Sequence, residues 1–182
     1  MTGAVRVSDS GTAGLRDVAG LVRDVPDFPQ PGVLFRDIGP VLADPEGFAA
    51  VVGALAGAAE FDVVAGVEAR GFLLGAAVAH ARGVGVVGLR KPGKLPVVAD
   101  RVDYDLEYGS ASLELPGGVL RSGQRVLVVD DVLATGGTLA AACELVTRSE
   151  ASVAEAAVVL EIAALPGRDA VREWPLRSLL VG

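Results

Sequence analysis

Residues 125–142 read R-V-L-V-V-D-D-V-L-A-T-G-G-T-L-A-A-A. Val126 to Val129 is an unbroken aliphatic run, the composition of a strand buried on both faces of a parallel sheet. Two carboxylates, Asp130 and Asp131, come directly after it. Ala134-Thr135-Gly136-Gly137-Thr138 follows, and then Leu139, Ala142, Cys143 and Val146 recur at the spacing of one helix face. A strand, a short loop of hydroxyls and glycines, and a helix N-terminus together form a phosphate site. Unpaired amides and the positive end of the helix dipole converge there, and glycine lets the backbone close on the anion.

The loop lacks the lysine of a Walker A motif and the glycine spacing of a dinucleotide loop, and it adds an acid pair. Two adjacent carboxylates beside a monophosphate cradle can accept hydrogen bonds from two vicinal hydroxyls, as on a ribose 5-phosphate. The alternative is a solvated acidic turn before an ordinary βα loop. The agreement of strand, acid pair, loop and helix weighs against it. V-V-D-D-V-L-A-T-G-G-T resembles the phosphoribosyl-pyrophosphate (PRPP) motif of type I phosphoribosyltransferases.

At 182 residues the chain is long enough for a single domain with a sizeable core. It is 51% hydrophobic but 4% aromatic, so that core must be built from Val, Leu and Ala. No apolar run reaches the length of a membrane span, and residues 1–14 lack the apolar centre of a signal peptide. They read as a flexible tail before a domain at 15–182. A single cysteine, Cys143, leaves no internal disulfide and fits a reducing cytoplasm; on an apolar helix face it reads as a core residue. The net charge of −7 disfavours nucleic acid as a partner. Of sixteen basic residues only Lys91 and Lys94 are lysines, and both fall in one loop. Compact ammonium groups on flexible stems suit a mobile pyrophosphate.

Along the chain, Leu15, Val18, Ala19 and Val22 predict a short amphipathic helix. Pro26 to Gly32 predicts an irregular loop. Asp44 and Pro45 are suited to cap and open a helix whose buried face is Phe48, Val51, Val52, Leu55 and Ala59. Three further strands are predicted: 63–67 running into Glu68-Ala69-Arg70-Gly71, 84–89 running into Arg90-Lys91-Pro92-Gly93-Lys94, and 156–160 running into Glu161. Helices at 72–82 and 139–148 fit between them, His80 falling at the end of the first. This alternation is that of an α/β doubly wound parallel sheet, whose ligands sit at the carboxyl ends of the strands. Glu68, Arg70, Arg90, Lys91, Asp130 and Asp131 would all project there. Residues 97–115 alternate as two arms of a hairpin long enough for a lid, the alternative being a merely solvated hairpin.

Further segments narrow the resemblance. P-D-F-P-Q-P-G-V-L-F-R-D-I at Pro26 to Ile38, G-V-E-A-R-G-F at Gly66 to Phe72, R-K-P-G-K-L-P at Arg90 to Pro96 and Y-D-L-E-Y-G at Tyr104 to Gly109 are similar to segments of adenine phosphoribosyltransferases. The resemblance covers the chain from about Leu15 onward and implies the type I phosphoribosyltransferase fold with a small hood and a flexible lid. It implies the magnesium-dependent conversion of adenine and PRPP to AMP and pyrophosphate in a cytoplasmic homodimer of purine salvage. By position, Ala134, Thr135, Gly136, Gly137 and Thr138 would hold the 5-phosphate, and Asp130 and Asp131 the ribose hydroxyls, near a magnesium ion that arrives with PRPP. Glu68, Ala69, Arg70 and Gly71 would form the pyrophosphate loop, carrying a cis peptide that Gly71 helps to accommodate. Arg90, Lys91 and Lys94 would complete it, partly across the dimer interface. Leu34, Phe35 and Arg36 would border adenine. Glu107 would act on the base from the lid, with Arg70 and Lys91 assisting departure of pyrophosphate.

Base choice is less determined. Oxopurine-specific relatives place a lysine after a late strand, and Val158-Val159-Leu160-Glu161 offers none. A transferase for another base and a non-catalytic PRPP-sensing regulator remain as alternatives. The second would be expected to add a DNA-binding domain, for which the unassigned residues are too few.

Overall fold

The computed structural model of the chain describes residues 4–8, 14–57, 59–106 and 109–182. In chain order the elements are β1 (Arg6–Val7), α1 (Leu15–Leu21), β2 (Arg23–Pro26), β3 (Leu34–Asp37), α2 (Gly39–Ala43), α3 (Pro45–Ala56), β4 (Val63–Val67), α4 (Arg70–Arg82), β5 (Gly85–Leu89), β6 (Val98–Leu106), β7 (Gly109–Pro116), β8 (Arg125–Leu133), α5 (Gly137–Arg148), β9 (Ser152–Glu161), α6 (Gly167–Ala170) and β10 (Leu176–Val181). Among the described residues the main sheet runs β1-β10-β9-β8-β4-β5.

From β5 to β10 every pairing is parallel, as anticipated, while β1 adds an antiparallel edge. Arg6 and Val7 fall in the stretch read as a flexible tail. They instead pair with Val181 and Leu180 and cover the otherwise open edge of β10.

The alternation of β8 divides the core. Val126 and Val128 pack beneath α5 with Ala156, Val158 and Val171. Leu127 and Val129 face the opposite way and meet α1, α3 and α4 through Leu15, Leu55 and Leu74. Both layers are aliphatic, because the sequence has few rings to offer. Cys143 is fully buried in the first layer, and burial pushes its thiol up to about 12, consistent with a packing role.

Asp44 caps α3 as anticipated, accepting from the Gly47 amide at 2.7 Å, with Pro45 opening the helix. Val51 and Leu55 are fully buried, but Phe48 and Val52 only partly. Ala59 lies beyond the helix, which ends where Gly57 turns the chain at φ 49°. Strands β2 and β3 pair antiparallel as a small hood, joined by the irregular loop expected at Pro26 to Gly32. The segment read as a lid over residues 97–115 is a hairpin, β6 against β7, but its arms belong to the core. Val102, Leu113 and Leu115 are at most 5% exposed and pack in the α5 layer, while residues 107–108 of the expected lid lie outside the described residues.

Two glycines set the spacing between α4 and the sheet. A Cβ on Gly66 would lie 2.6 Å from the Gly71 carbonyl oxygen, and one on Gly71 would lie 2.7 Å from that of Val129. The first turn of α4 therefore rests directly on the backbone of β4 and β8. Gly66→Ala is expected to destabilise the fold by about 1–3 kcal/mol, as overpacking does. Denaturant unfolding would measure this, and an unchanged midpoint would show that α4 can withdraw from the sheet.

Candidate active site

Strand β8 extends past the apolar run to Leu133, so Asp130 and Asp131 lie within it rather than after it. Both are buried, at 7% and 8% exposure, and the Asp131 amide donates to Asp130 Oδ1 at 2.8 Å. Burial first, and the neighbouring Asp131 charge second, push the Asp130 carboxyl well above the usual carboxylate range. The nearest counter-charge is Arg70, whose Nη2 lies 2.7 Å from Asp131 Oδ2. That contact is one of charge without hydrogen-bond alignment, and Asp131 Oδ2 is buried with no hydrogen-bond partner.

The loop from Ala134 to Gly136 then opens α5. Gly136 is its N-cap at φ 88°, a conformation L side chains rarely adopt. A Cβ there would lie 2.5 Å from the Gly167 carbonyl oxygen, so the loop is seated on α6. Opposite it, Glu68 and Ala69 are joined by a cis peptide bond, as the resemblance implied. The absence of a side chain at Gly71 serves the close approach to Val129 described above. The Glu68 carboxylate accepts from the Lys91 amide at 3.0 Å and from Arg90 Nε at 3.3 Å. The Lys91 hydrogen bond chiefly, and that of Arg90, outweigh burial and hold Glu68 below its ordinary range.

These elements enclose a cleft of about 490 Å³. Glu68, Ala69, Arg70, Asp130, Asp131 and Lys91 line it on the loop and acid-pair sides; Ala134, Thr135, Gly136 and Thr138 line the phosphate-loop side. Gly71, Gly137, Arg90 and Lys94 are not in its wall. Gly71 and Gly137 act through the backbone at the starts of α4 and α5. Arg90 braces Glu68 and lies 5.7 Å from the Phe72 ring centroid, while Lys94 is exposed to solvent. Glu107 lies outside the described residues.

The three hood residues do not act alike. Leu34 and Arg36 line a second cavity of about 710 Å³, together with Ile162 and Leu165. Arg36 is buried and donates to Asp24 at 2.6 Å. Phe35 is not in that cavity's wall; it meets Phe28 edge-on at 5.2 Å and lies 5.9 Å from the Arg70 guanidinium. Arg70 thus bridges the hood ring and Asp131.

Residues 42–179 match the phosphoribosyl transferase domain family. The chain is 70% identical to the adenine phosphoribosyltransferase of Saccharopolyspora erythraea, over 99% of each protein. Among solved structures, that of the Thermoanaerobacter pseudethanolicus adenine phosphoribosyltransferase is similar with a TM-score of 0.87 at 42% identity, covering 92% of this chain and 98% of that one. The Saccharomyces cerevisiae enzyme, solved with an imino-altritol bisphosphate and adenine, has a TM-score of 0.86 at 35% identity, covering 91% and 98%. The chain belongs to the adenine phosphoribosyltransferase family.

Beyond the motifs of an adenine phosphoribosyltransferase, several site residues were not foreseen. Tyr104, Ala111 and Leu113 of the hairpin wall the cleft. Ile162 and Leu165 wall the hood cavity, and Gly167 supports the phosphate loop from behind. The signal available for Gly167 was P-G-R-D at Pro166 to Asp169, a turn signal shortly after a strand. Glu161, noted only as a strand-end acid, anchors this turn by accepting from Arg168 at 2.6 and 2.7 Å and from Ser178 at 2.6 Å. Burial opposes its charge, but those hydrogen bonds win and hold the carboxyl below its usual range.

Because Asp130 is buried with a raised pKa, its ionised form weakens the fold. That penalty is absent at low pH, where the group is protonated, and is felt as pH rises through the folded pKa. Asp130→Asn, which can still accept from the Asp131 amide, should therefore raise the unfolding temperature at neutral pH. The gain should shrink as pH falls, and AMP binding should weaken. A lower unfolding temperature at neutral pH would contradict the burial account.

Proposed function

We propose that the chain transfers the 5-phosphoribosyl group of PRPP to adenine, giving AMP and pyrophosphate, with residue roles set by the cleft. The observation that carries this reading is that one cleft joins a buried acid pair, a phosphate loop at a helix N-terminus, and a cationic loop. Ala134 to Thr138 hold the 5-phosphate through amides and hydroxyls, with Gly137 supplying a backbone group. Asp130 and Asp131 accept from the ribose hydroxyls, charge-assisted bonds of about 1.5–3 kcal/mol each. Arg70, Lys91 and the amides of Glu68 to Gly71 receive the pyrophosphate, with Arg90 holding that loop in shape through Glu68.

Adenine occupies the space between the hood strand and the Ile162 to Leu165 segment, bordered by Leu34 and Arg36, while Phe35, expected beside them, turns away toward Arg70. The C1′–oxygen bond to pyrophosphate breaks through an oxocarbenium-like state, the bond from the purine N9 forms, and the N9 proton must leave. Glu107 accepts that proton from the hairpin tip, while the apolar hairpin arms keep water from the cleft. Phosphate and carboxylate groups so close together require more positive charge than Arg70 and Lys91 provide. That charge would be supplied by a magnesium ion bound with PRPP, offsetting the charge of the pyrophosphate. Asp131 Oδ2, buried without a hydrogen-bond partner, is a suitable neighbour for it.

A homodimer fits the apolar side chains left in solvent on the edge strand and on α4, where Val86 of β5 is 48% exposed and Leu73 of α4 59%. Lys94, absent from its own cleft, would then reach the partner's. A cytoplasmic setting fits the single unpaired thiol, and among the described residues no helix is long and apolar enough to cross a membrane.

Turnover with a panel of adenine, hypoxanthine, guanine, xanthine and uracil, in the presence of PRPP and magnesium, tests the reading. Adenine alone should be consumed rapidly; turnover of none of the bases, or preference for an oxopurine, would overturn it. In single-turnover measurements Glu107→Ala should slow the chemical step by about a hundred- to ten-thousand-fold with PRPP affinity little changed. A chemical step within a few-fold of the unmodified protein would remove Glu107 from proton transfer.

A further inference from the structure

The hairpin is tied to α5 at both ends of that helix. At the far end Arg148 Nε pairs with Asp100 Oδ2 at 2.8 Å. At the near end Thr138 Oγ1 donates to the Tyr104 hydroxyl at 3.2 Å. Tyr104 is half-buried against the α5 core layer, and together with its cross-strand partner Ala111 it walls the transfer cleft. A phenylalanine would fill the same volume. The hydroxyl is set apart by where it lands, on a side chain of the phosphate loop itself.

A threonine hydroxyl has one proton to donate and can also accept. With the loop as it stands, that proton goes to Tyr104. A phosphate dianion only accepts, so Thr138 can bind it only by turning its proton toward it. The Thr138 oxygen then remains available to accept, and the Tyr104 hydroxyl, released from accepting, can donate to it. The contact reverses its direction without a change of partners, and the two bonds polarise one another in series.

Resting on the assignment of Thr138 to the 5-phosphate, we propose that Tyr104 is a positioning residue for that phosphate, donating to Thr138 while Thr138 donates to the ligand. The same contact fixes the arm of β6 three residues before Glu107, so occupancy of the phosphate loop is felt at the hairpin that carries the proton acceptor. Register places Tyr104 only one pair of cross-strand neighbours from Asp105 and Ser110, and two from Leu106 and Gly109, where the strands meet the tip.

The test is a double-mutant cycle of Tyr104→Phe and Thr138→Val, with AMP, PRPP and free adenine titrated by calorimetry. Loss of one neutral hydrogen bond predicts that Tyr104→Phe weakens AMP and PRPP about 2- to 10-fold and leaves adenine unchanged. On the Thr138→Val background that loss should vanish, because the relay has no middle. If Thr138→Val weakens AMP and PRPP while Tyr104→Phe does not, the relay is wrong and the phosphate assignment stands. If the Tyr104→Phe loss persists in full on the Thr138→Val background, Tyr104 acts by another route and the proposal fails. If Thr138→Val changes neither ligand, the phosphate assignment itself fails and takes the proposal with it.

Discussion

Two carboxylates buried side by side at the end of the central strand are the constraint to which the rest of the molecule answers. Asp130 and Asp131 lie within β8, less than a tenth exposed, with one guanidinium in reach. Like charges so placed oppose folding, and burial raises the cost of each. Parallel pairing holds the backbone of β8 in place, with β4 up to Val129 and with β9 through Asp130 and on to Leu133. On our proposal the arrangement is a preformed acceptor for hydroxyl donors, and Arg70 beside Asp131 offsets only part of its charge. Stability is thereby exchanged for binding at the point where the sheet meets the cleft.

Backbone proximity, rather than side-chain chemistry, places the loops around that pair. Gly66 and Gly71 let α4 settle onto β4 and β8, which brings Arg70 to Asp131 and the Glu68–Ala69 turn to the cleft. Gly136 settles against Gly167 in the same way, so the phosphate loop rests on the turn that Glu161 and Arg168 lock. That turn directly follows Ile162 to Leu165, part of the wall of the hood cavity. The cleft and the hood cavity, which we propose take the ribose phosphate and the base, are therefore supported by one short segment of chain.

Much of this could be read from residues alone, where local pattern and tertiary role coincide. The run Val126 to Val129, the acid pair and Thr135-Gly136-Gly137-Thr138 specify strand, acceptors and loop because each needs only its neighbours. The cap at Asp44 was legible for the same reason. What escaped depends on long-range pairing. Arg6 and Val7 carry no strand pattern of their own and become a strand only because β10 presents an edge. Tyr104 and Leu113 alternate as a solvated hairpin would, and only the packing on α5 shows them as core and cleft wall. Leu34 and Phe35 are adjacent in a motif, yet strand geometry sends them to opposite faces, toward the hood cavity and toward Arg70. Ile162 and Leu165 carry no chemistry that a sequence reading would select.

The central claim is that the acid pair and the phosphate loop together hold a ribose 5-phosphate. A crystal structure of the protein with AMP tests it most directly. The account predicts the phosphate within hydrogen-bond distance of the amides from Thr135 to Thr138 and the 2′- and 3′-hydroxyls on Asp130 and Asp131. A nucleotide bound with its ribose away from the acid pair, or its phosphate on the Glu68 to Gly71 loop instead, would contradict it.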